Sequence, residues 1–238
     1  MATPNHRQEN QRVYILHTYP FKETSLIAEV FTEKFGRIPV VAKGARRPRS
    51  SIRGMLQSFQ VLLANWSGKS ELKSLNGLEW CEKLTILEGD ALMCGFYLNE
   101  LMMRLLPRDE PHPDLFHFYH ETILALSEGR ELTITLRRFE LKLLQALGYA
   151  VTLDHDEDSN PIIPDKIYRY EAEYGACDLM KTDHGIKVLG KTLLDMASDQ
   201  YVDKETQQQS KQLMRYLLGF YLGDKPLHSK QLFVDLQG

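Results

Sequence analysis

Arg37-Ile-Pro-Val-Val-Ala-Lys43, then Gly44-Ala-Arg-Arg-Pro-Arg-Ser-Ser-Ile-Arg53, then Val61-Leu-Leu-Ala-Asn-Trp66 decide the reading of the first third of the chain. The outer two pieces are apolar and partly β-branched, the composition of strands on a half-buried pleated surface. The connector carries Gly44, Pro48 and Gly54, and its portion Ser50-Ser-Ile-Arg-Gly-Met-Leu56 is long enough for one or two helical turns. Outward from this centre, Arg12-Val-Tyr-Ile-Leu-His17 and Ser25-Leu-Ile-Ala-Glu-Val-Phe31 read as two earlier strands separated by a turn with Pro20, and Gly36 opens the third. Ser67-Gly68 is a hairpin signal leading to a fifth strand at Glu71-Leu-Lys-Ser-Leu75. Five short strands with a small helix between the third and fourth predict an OB-fold β-barrel over residues 1–80.

After Gly89 the apolar period becomes helical. Ala91 to Leu106 places Leu92, Phe96, Leu101, Met102 and Leu105 on one broad face before Pro107 stops it. Pro113 and Asp114 open a second helix to about Ser127, with a proline in the first turn and an acid at the positive end of the dipole. A third runs from Leu132 to Leu147, with Leu132, Leu136, Phe139, Leu143 and Leu147 as its stripe and Gly148 as its cap. An acidic loop at 152–165 precedes β-prone pieces at Lys166–Tyr170 and Gly185–Leu189, a helix at about Thr206–Tyr221, and a short helix near Ser229–Leu236. The fold class is therefore α+β: a barrel, then a mostly α-helical domain over residues 81–238.

A chain of 238 residues, 43% hydrophobic and 26% charged, is long enough to bury a core without disulfides or metals, and suggests one or two domains. Cys81, Cys94 and Cys177 lie too far apart in sequence for a CxxC zinc site and too few for a disulfide framework. The N-terminal stretch is polar and no run of 18 apolar residues occurs, which excludes a signal peptide and a membrane span and points to the cytoplasm. Net charge is only −3, yet Lys34 to Ser70 holds eight Lys or Arg and no Asp or Glu. Such a segregated charge suits a polyanion on one face and an acidic remainder that keeps the chain soluble.

The candidate phosphate ligands are Lys43, Arg46, Arg47, Arg49 and Arg53, with Arg37 on the adjoining strand and Lys69 on the hairpin. Guanidinium forks match phosphate oxygens, and glycine and proline let the backbone bend around a ligand. Phe35, Phe59 and Trp66 are stacking candidates that could equally fill the barrel core. The same run also reads as a solvated basic loop, or as the docking site of an acidic partner in a protein-interaction adaptor. Ser67-Gly68-Lys69-Ser70 lacks the glycine of a phosphate-binding loop, because that position is Leu63. Asp154, Asp156 and Asp158 alternate like calcium ligands, but Ser159 and Pro161 break the loop pattern. His112, His117 and His120 have no cysteine nearby, and Met93, Met102 and Met103 read as core. No catalytic constellation is legible, so the chain reads as a binding protein without cofactor or metal. On the third helix, Arg137, Arg138, Phe139 and Lys142 form a cluster suited to an acidic peptide with an apolar anchor, or an ordinary amphipathic face.

Several motifs occur together in order: Pro20-Phe-Lys-Glu-Thr-Ser-Leu26, Phe35-Gly-Arg37, Val41-Ala-Lys-Gly-Ala-Arg-Arg-Pro-Arg-Ser50, Leu136-Arg-Arg-Phe-Glu-Leu141 with Leu147-Gly-Tyr149, and Tyr221-Leu-Gly-Asp-Lys-Pro-Leu-His-Ser-Lys230. In these the chain resembles the RecO family of bacterial recombination mediators from about residue 12 to residue 235. The resemblance implies an OB-fold followed by a helical domain with a zinc-finger-like insertion, here about residues 153–183. Many members place four cysteines there; this chain keeps only Cys177, which implies the metal-free form. It further implies DNA repair and homologous recombination in the RecF pathway: binding of single- and double-stranded DNA, strand annealing, and cooperation with RecR in loading RecA onto DNA coated with single-stranded DNA-binding protein (SSB). The acidic, Phe-ending SSB tail is expected on Arg137, Arg138, Phe139 and Lys142. The expected state is a monomer acting on the bacterial nucleoid.

Overall fold

The computed structural model describes residues 6–149, 151–181, 183–223 and 227–229. Its chain divides into two compact units, one holding the residues up to Gly129 and again from His228, the other Arg130–Leu227. The sequence reading ended the first domain at residue 80, where the strands stop. The division at Gly129 instead groups the first two helices with the strands.

Five strands, β1 (Arg7–Phe21), β2 (Ser25–Thr32), β3 (Gly36–Ala42), β4 (Val61–Ser67) and β5 (Lys73–Trp80), close into a barrel in the order β1-β2-β3-β5-β4. Neighbours are antiparallel except β3 and β5. Closure is possible because β1 pairs twice: its first half runs against β4 and its second against β2. Inward residues alternate along the strands, with Val13 and Ile15, Ala28 and Val30, Ile38 and Val40, and Ala64 and Trp66 filling the core. A register shift between Ile15 and His17 re-aims the second half of β1.

Two expectations shift. The fifth strand begins at Lys73 and continues to Trp80, since Leu75 packs against the core and Leu78 lies in it. The segment Ser50–Leu56 forms successive hydrogen-bonded turns, such as Arg53 N to Ser50 O and Met55 N to Ile52 O, in place of a regular helix. Gly54 within it favours turns over helix.

Helices α1 (Gly89–Leu105) and α2 (Pro113–Ser127) complete the first unit. Phe116 and Tyr119 of α2 pack on Tyr14 and Phe31 of the barrel, with ring centroids 4.8–6.3 Å apart. Buried Asn99 of α1 donates to Leu16 O and accepts from Tyr119 Oη, so that the polar groups in this seam are paired. Gly36 has φ +68°, and a Cβ there would lie 2.0 Å from the carbonyl oxygen of Glu110. Gly36→Ala is therefore expected to destabilise the chain by about 2 kcal/mol, from left-handed strain and forced separation of the α1–α2 connection. The check is the urea midpoint; an unchanged midpoint would show that this close approach is not required.

The second unit contains α3 (Leu132–Ala146), a three-stranded antiparallel sheet of β6 (Ile167–Glu171), β7 (Gly175–Asp178) and β8 (Ile186–Leu189) in the order β7-β6-β8, then α4 (Gly190–Ala197) and α5 (Lys204–Leu222). Glu131 caps α3 by accepting from Thr133 N and Ile134 N, and Asp203 caps α5 by accepting from Thr206 N. Strand β7 and helix α4 were not anticipated from the sequence. Most of the helix expected near Ser229–Leu236 lies outside the described residues.

Candidate nucleic-acid interface

The connector from β3 to β4 is a surface loop shaped by its own backbone. Gly44 takes φ +70°, Arg47 N donates to Gly44 O at 3.0 Å, and Ser50 N donates to Arg47 O at 3.1 Å. Ala45 turns inward as part of the core and anchors the loop, while Lys43, Arg46, Arg47, Arg49 and Arg53 remain exposed. Arg46 N donates to Thr24 O at 2.8 Å, which ties the loop to the β1–β2 turn. Among the described residues, none of these five cations has a carboxylate within ion-pair distance, and neither has the exposed Lys69 on the β4–β5 hairpin. Unpaired like charges held on one loop repel one another, so an arriving polyanion relieves that repulsion as well as gaining attraction.

A cleft of ≈530 Å³ lies between this loop and β5, lined by Lys43, Arg47, Arg49, Ser50, Ser51 and Asn76 among others. Its chemistry is that of an anion cradle: three cations, two hydroxyls and an amide. Asn76 donates through Nδ2 to Ser67 Oγ, which leaves its carbonyl oxygen for a donor group. Ser50, Ser51 and Asn76 were not singled out from the sequence. Asn76 in particular lay beyond the expected end of the fifth strand.

Arg37 does not join this group. Its Nη1 donates to the buried Glu29 at 2.9 Å, and its Nε and Nη2 donate to Leu106 O at 3.0 and 2.9 Å. Arg108 also pairs with Glu29 and reaches Glu71 on the β4–β5 hairpin. With Glu29 only 2% exposed, the charge there is compensated from both sides, and Arg37 caps the carbonyl end of α1. Arg37 is thus a structural cation, removed from the list of phosphate ligands. The proposed stacking residues also move inward: Trp66 and Phe59 are buried, and Phe35 packs on Trp66 at a centroid distance of 5.4 Å.

On α3 the four expected residues point in different directions. Phe139 is fully buried, and Arg137 is buried in an ion pair with Glu140 at 2.6 Å. Arg138 is exposed and pairs with Asp199 at 2.7 Å, while Lys142 is partly exposed. The buried face is centred on Phe139, Glu140, Leu143 and Leu144, so Arg137 and Phe139 belong to the core of the unit. Arg138 and Lys142 remain as the accessible pair, four residues apart on one face.

The region of the expected insertion gives no fit to a metal. Cys177 is buried in β7, and burial, followed by the neighbouring Glu157, pushes its thiol up to about 11. A coordinating thiol must lose its proton on binding, and burial makes that loss more costly here. Among the described residues, no group of three His, Cys, Asp or Glu side chains converges to hold an ion. Nor is any described helix long and apolar enough to cross a membrane.

Comparison with known proteins bears on this arrangement across nearly the whole chain. The family model for the recombination protein O N terminus matches residues 6–84, and that for its C terminus matches residues 87–231. A protein of Nitrosospira multiformis named DNA repair protein RecO is 51% identical over 240 residues, covering 100% of this chain and 99% of that protein. Proteins of the same name from Dechloromonas aromatica and Burkholderia pseudomallei are 47% and 46% identical, covering 96% and 99% of this chain and 96% and 86% of their own lengths. The full-length similarity and the two family models together show that the chain belongs to the RecO family of DNA repair proteins.

Proposed function

We propose that this chain is a recombination mediator of the RecF pathway, a non-enzymatic protein that binds single- and double-stranded DNA through an OB-fold barrel and anneals complementary strands. The observation that carries this reading is the group of exposed cations on the β3–β4 loop, Lys43, Arg46, Arg47, Arg49 and Arg53, without carboxylate partners among the described residues. The strand order β1-β2-β3-β5-β4 with a connector between β3 and β4 supports the OB-fold assignment. Neutralising phosphates on two strands lowers their mutual repulsion and lets bases pair, which requires no catalytic group and no cofactor. Lys69, exposed on the hairpin, is a further candidate cation.

In this reading the second unit selects the DNA to be acted on. Arg138 and Lys142 receive the acidic tail of SSB, and the exposed Arg138–Asp199 pair exchanges its carboxylate at little cost, because surface ion pairs contribute only about 0–1 kcal/mol. Residues 153–183 form a metal-free counterpart of the zinc-finger-like insertion, RecR is the partner in RecA loading, and the chain acts as a monomer on nucleoid DNA. Arg138→Glu is expected to weaken a synthetic acidic, Phe-ending tail peptide by about tenfold or more, with affinity for a bare oligonucleotide unchanged. Equal peptide binding by the variant removes Arg138 from the docking site. The function as a whole is tested by annealing of complementary oligonucleotides coated with SSB, with and without its tail. Acceleration that depends on the tail is expected; no acceleration of either bare or coated strands contradicts the proposal.

A further inference from the structure

Of the aromatics that could stack bases or fill the core, Phe59 and Trp66 are buried and Phe35 packs against the core, but the register shift in β1 turns a different set outward. Beyond it, Thr18 and Pro20 pair with Ala28 and Leu26, which line or pack on the barrel core. Directly opposed residues share a face, so His17, Tyr19 and Phe21, the alternate residues, lie on the outside of the barrel. His17 is exposed, Tyr19 is 41% exposed, and their rings meet edge to face at 4.5 Å. Phe21 is half-buried with Lys22 Nζ 5.3 Å from its centroid.

This strip adjoins the basic loop. Arg46 donates through its backbone N–H to Thr24 O at 2.8 Å and through Nη1 to Lys22 O at 3.4 Å, so the turn that ends the strip is fastened to the cations. In register, Tyr19 pairs with Ile27 and Ile27 with Val41, two residues before Lys43. Exposed Lys22 adds a further cation at the turn, where Glu23 is the acid beside it. An aromatic face next to phosphate-binding cations is the pairing that single strands require, because every unpaired base offers a π-face. Alternate strand residues are about 6.8 Å apart, roughly twice the 3.4 Å rise per base in a duplex strand. Bases meeting Tyr19 and Phe21 in succession must therefore be drawn out of their stack, which a duplex resists.

We infer that His17 and Tyr19, with Phe21 beside them, form a base-stacking subsite that distinguishes unpaired from paired DNA, while the β3–β4 loop holds the phosphates. This rests on the proposed DNA-binding role of that loop. The test compares the full chain with Tyr19→Ala, Tyr19→Phe and His17→Ala/Tyr19→Ala for binding to an oligothymidylate, a duplex of equal length and an oligomer of abasic sites. Expected are a loss of about tenfold for Tyr19→Ala on oligothymidylate, a larger loss for the double variant, and recovery in Tyr19→Phe. Duplex and abasic affinities and the salt dependence stay as in the parent. Undiminished binding of oligothymidylate by Tyr19→Ala, with a steep salt dependence in the parent, overturns the subsite and leaves the basic loop standing. An equal loss on all three probes also overturns it. A parent chain that binds none of the probes overturns both readings.

Discussion

Replacing Arg46, Arg47 and Arg49 together with alanine is expected to weaken single-strand binding by about 100-fold at 0.1 M salt. Each phosphate contact to a single strand contributes about 0.7 to the slope of log affinity against log salt. Removing three contacts lowers the slope by about 2.1, which amounts to about 100-fold between 1 M and 0.1 M salt. The fold is expected to be unaffected, since these side chains are exposed and the loop is shaped by backbone hydrogen bonds. The bond from Arg46 Nη1 to Lys22 O, at 3.4 Å, is backed by the shorter backbone bond from Arg46 N to Thr24 O. The measurement is a salt titration of oligonucleotide affinity for parent and variant, accompanied by thermal melting. A variant with the parental slope would place the phosphates elsewhere on the chain.

Arg37→Ala is expected to have the opposite signature, with a large loss of stability and an unchanged salt slope. Truncation leaves the buried Glu29 with Arg108 alone and frees the Leu106 carbonyl from two hydrogen bonds. Breaking a buried pair typically costs about 3–5 kcal/mol, and the remaining Arg108 contact puts the expectation near the lower end, about 3 kcal/mol. For a chain of this size that is a fall in melting temperature on the order of 10 °C. Adding Glu29→Gln to Arg37→Ala removes the buried charge that then keeps one partner of two, and is expected to restore part of the loss. A variant that melts normally but binds DNA with a lower slope would return Arg37 to the phosphate ligands.

Arg37 and the loop arginines Arg46, Arg47 and Arg49 show how much of the site the sequence carries. All four lie in the same acid-free run, so counting charges along the chain groups them. What separates them is Glu29, brought to Arg37 by the pairing of β2 with β3. β-Branched and aromatic content between turn residues was enough to find the barrel elements, although β2 and β3 are buried on both faces and show little alternation. It did not locate the register shift after Ile15, and with it the outward turn of His17, Tyr19 and Phe21. Aromatic content left Phe35, Phe59 and Trp66 open to either stacking or the core, because the packing of Phe35 on Trp66 depends on the barrel closing.

On α3 the helical period was legible but its phase was not. A stripe through Leu132, Leu136, Phe139 and Leu143 leaves Arg137 at its margin, where either solvent or the core is compatible with the pattern. Glu140, one turn on, gives Arg137 a buried partner and draws both inward. Strand β7 escaped notice because Gly175–Asp178 is too short to show a period, and it is defined by its pairing with β6.

The most direct measurement of the central claim is amide hydrogen exchange of the full chain with and without a saturating oligothymidylate. The account predicts that new protection concentrates in peptides covering Lys43–Arg53 and is reversed by raising salt. Protection confined to residues 130–227, with the β3–β4 loop exchanging as in the free chain, would contradict it.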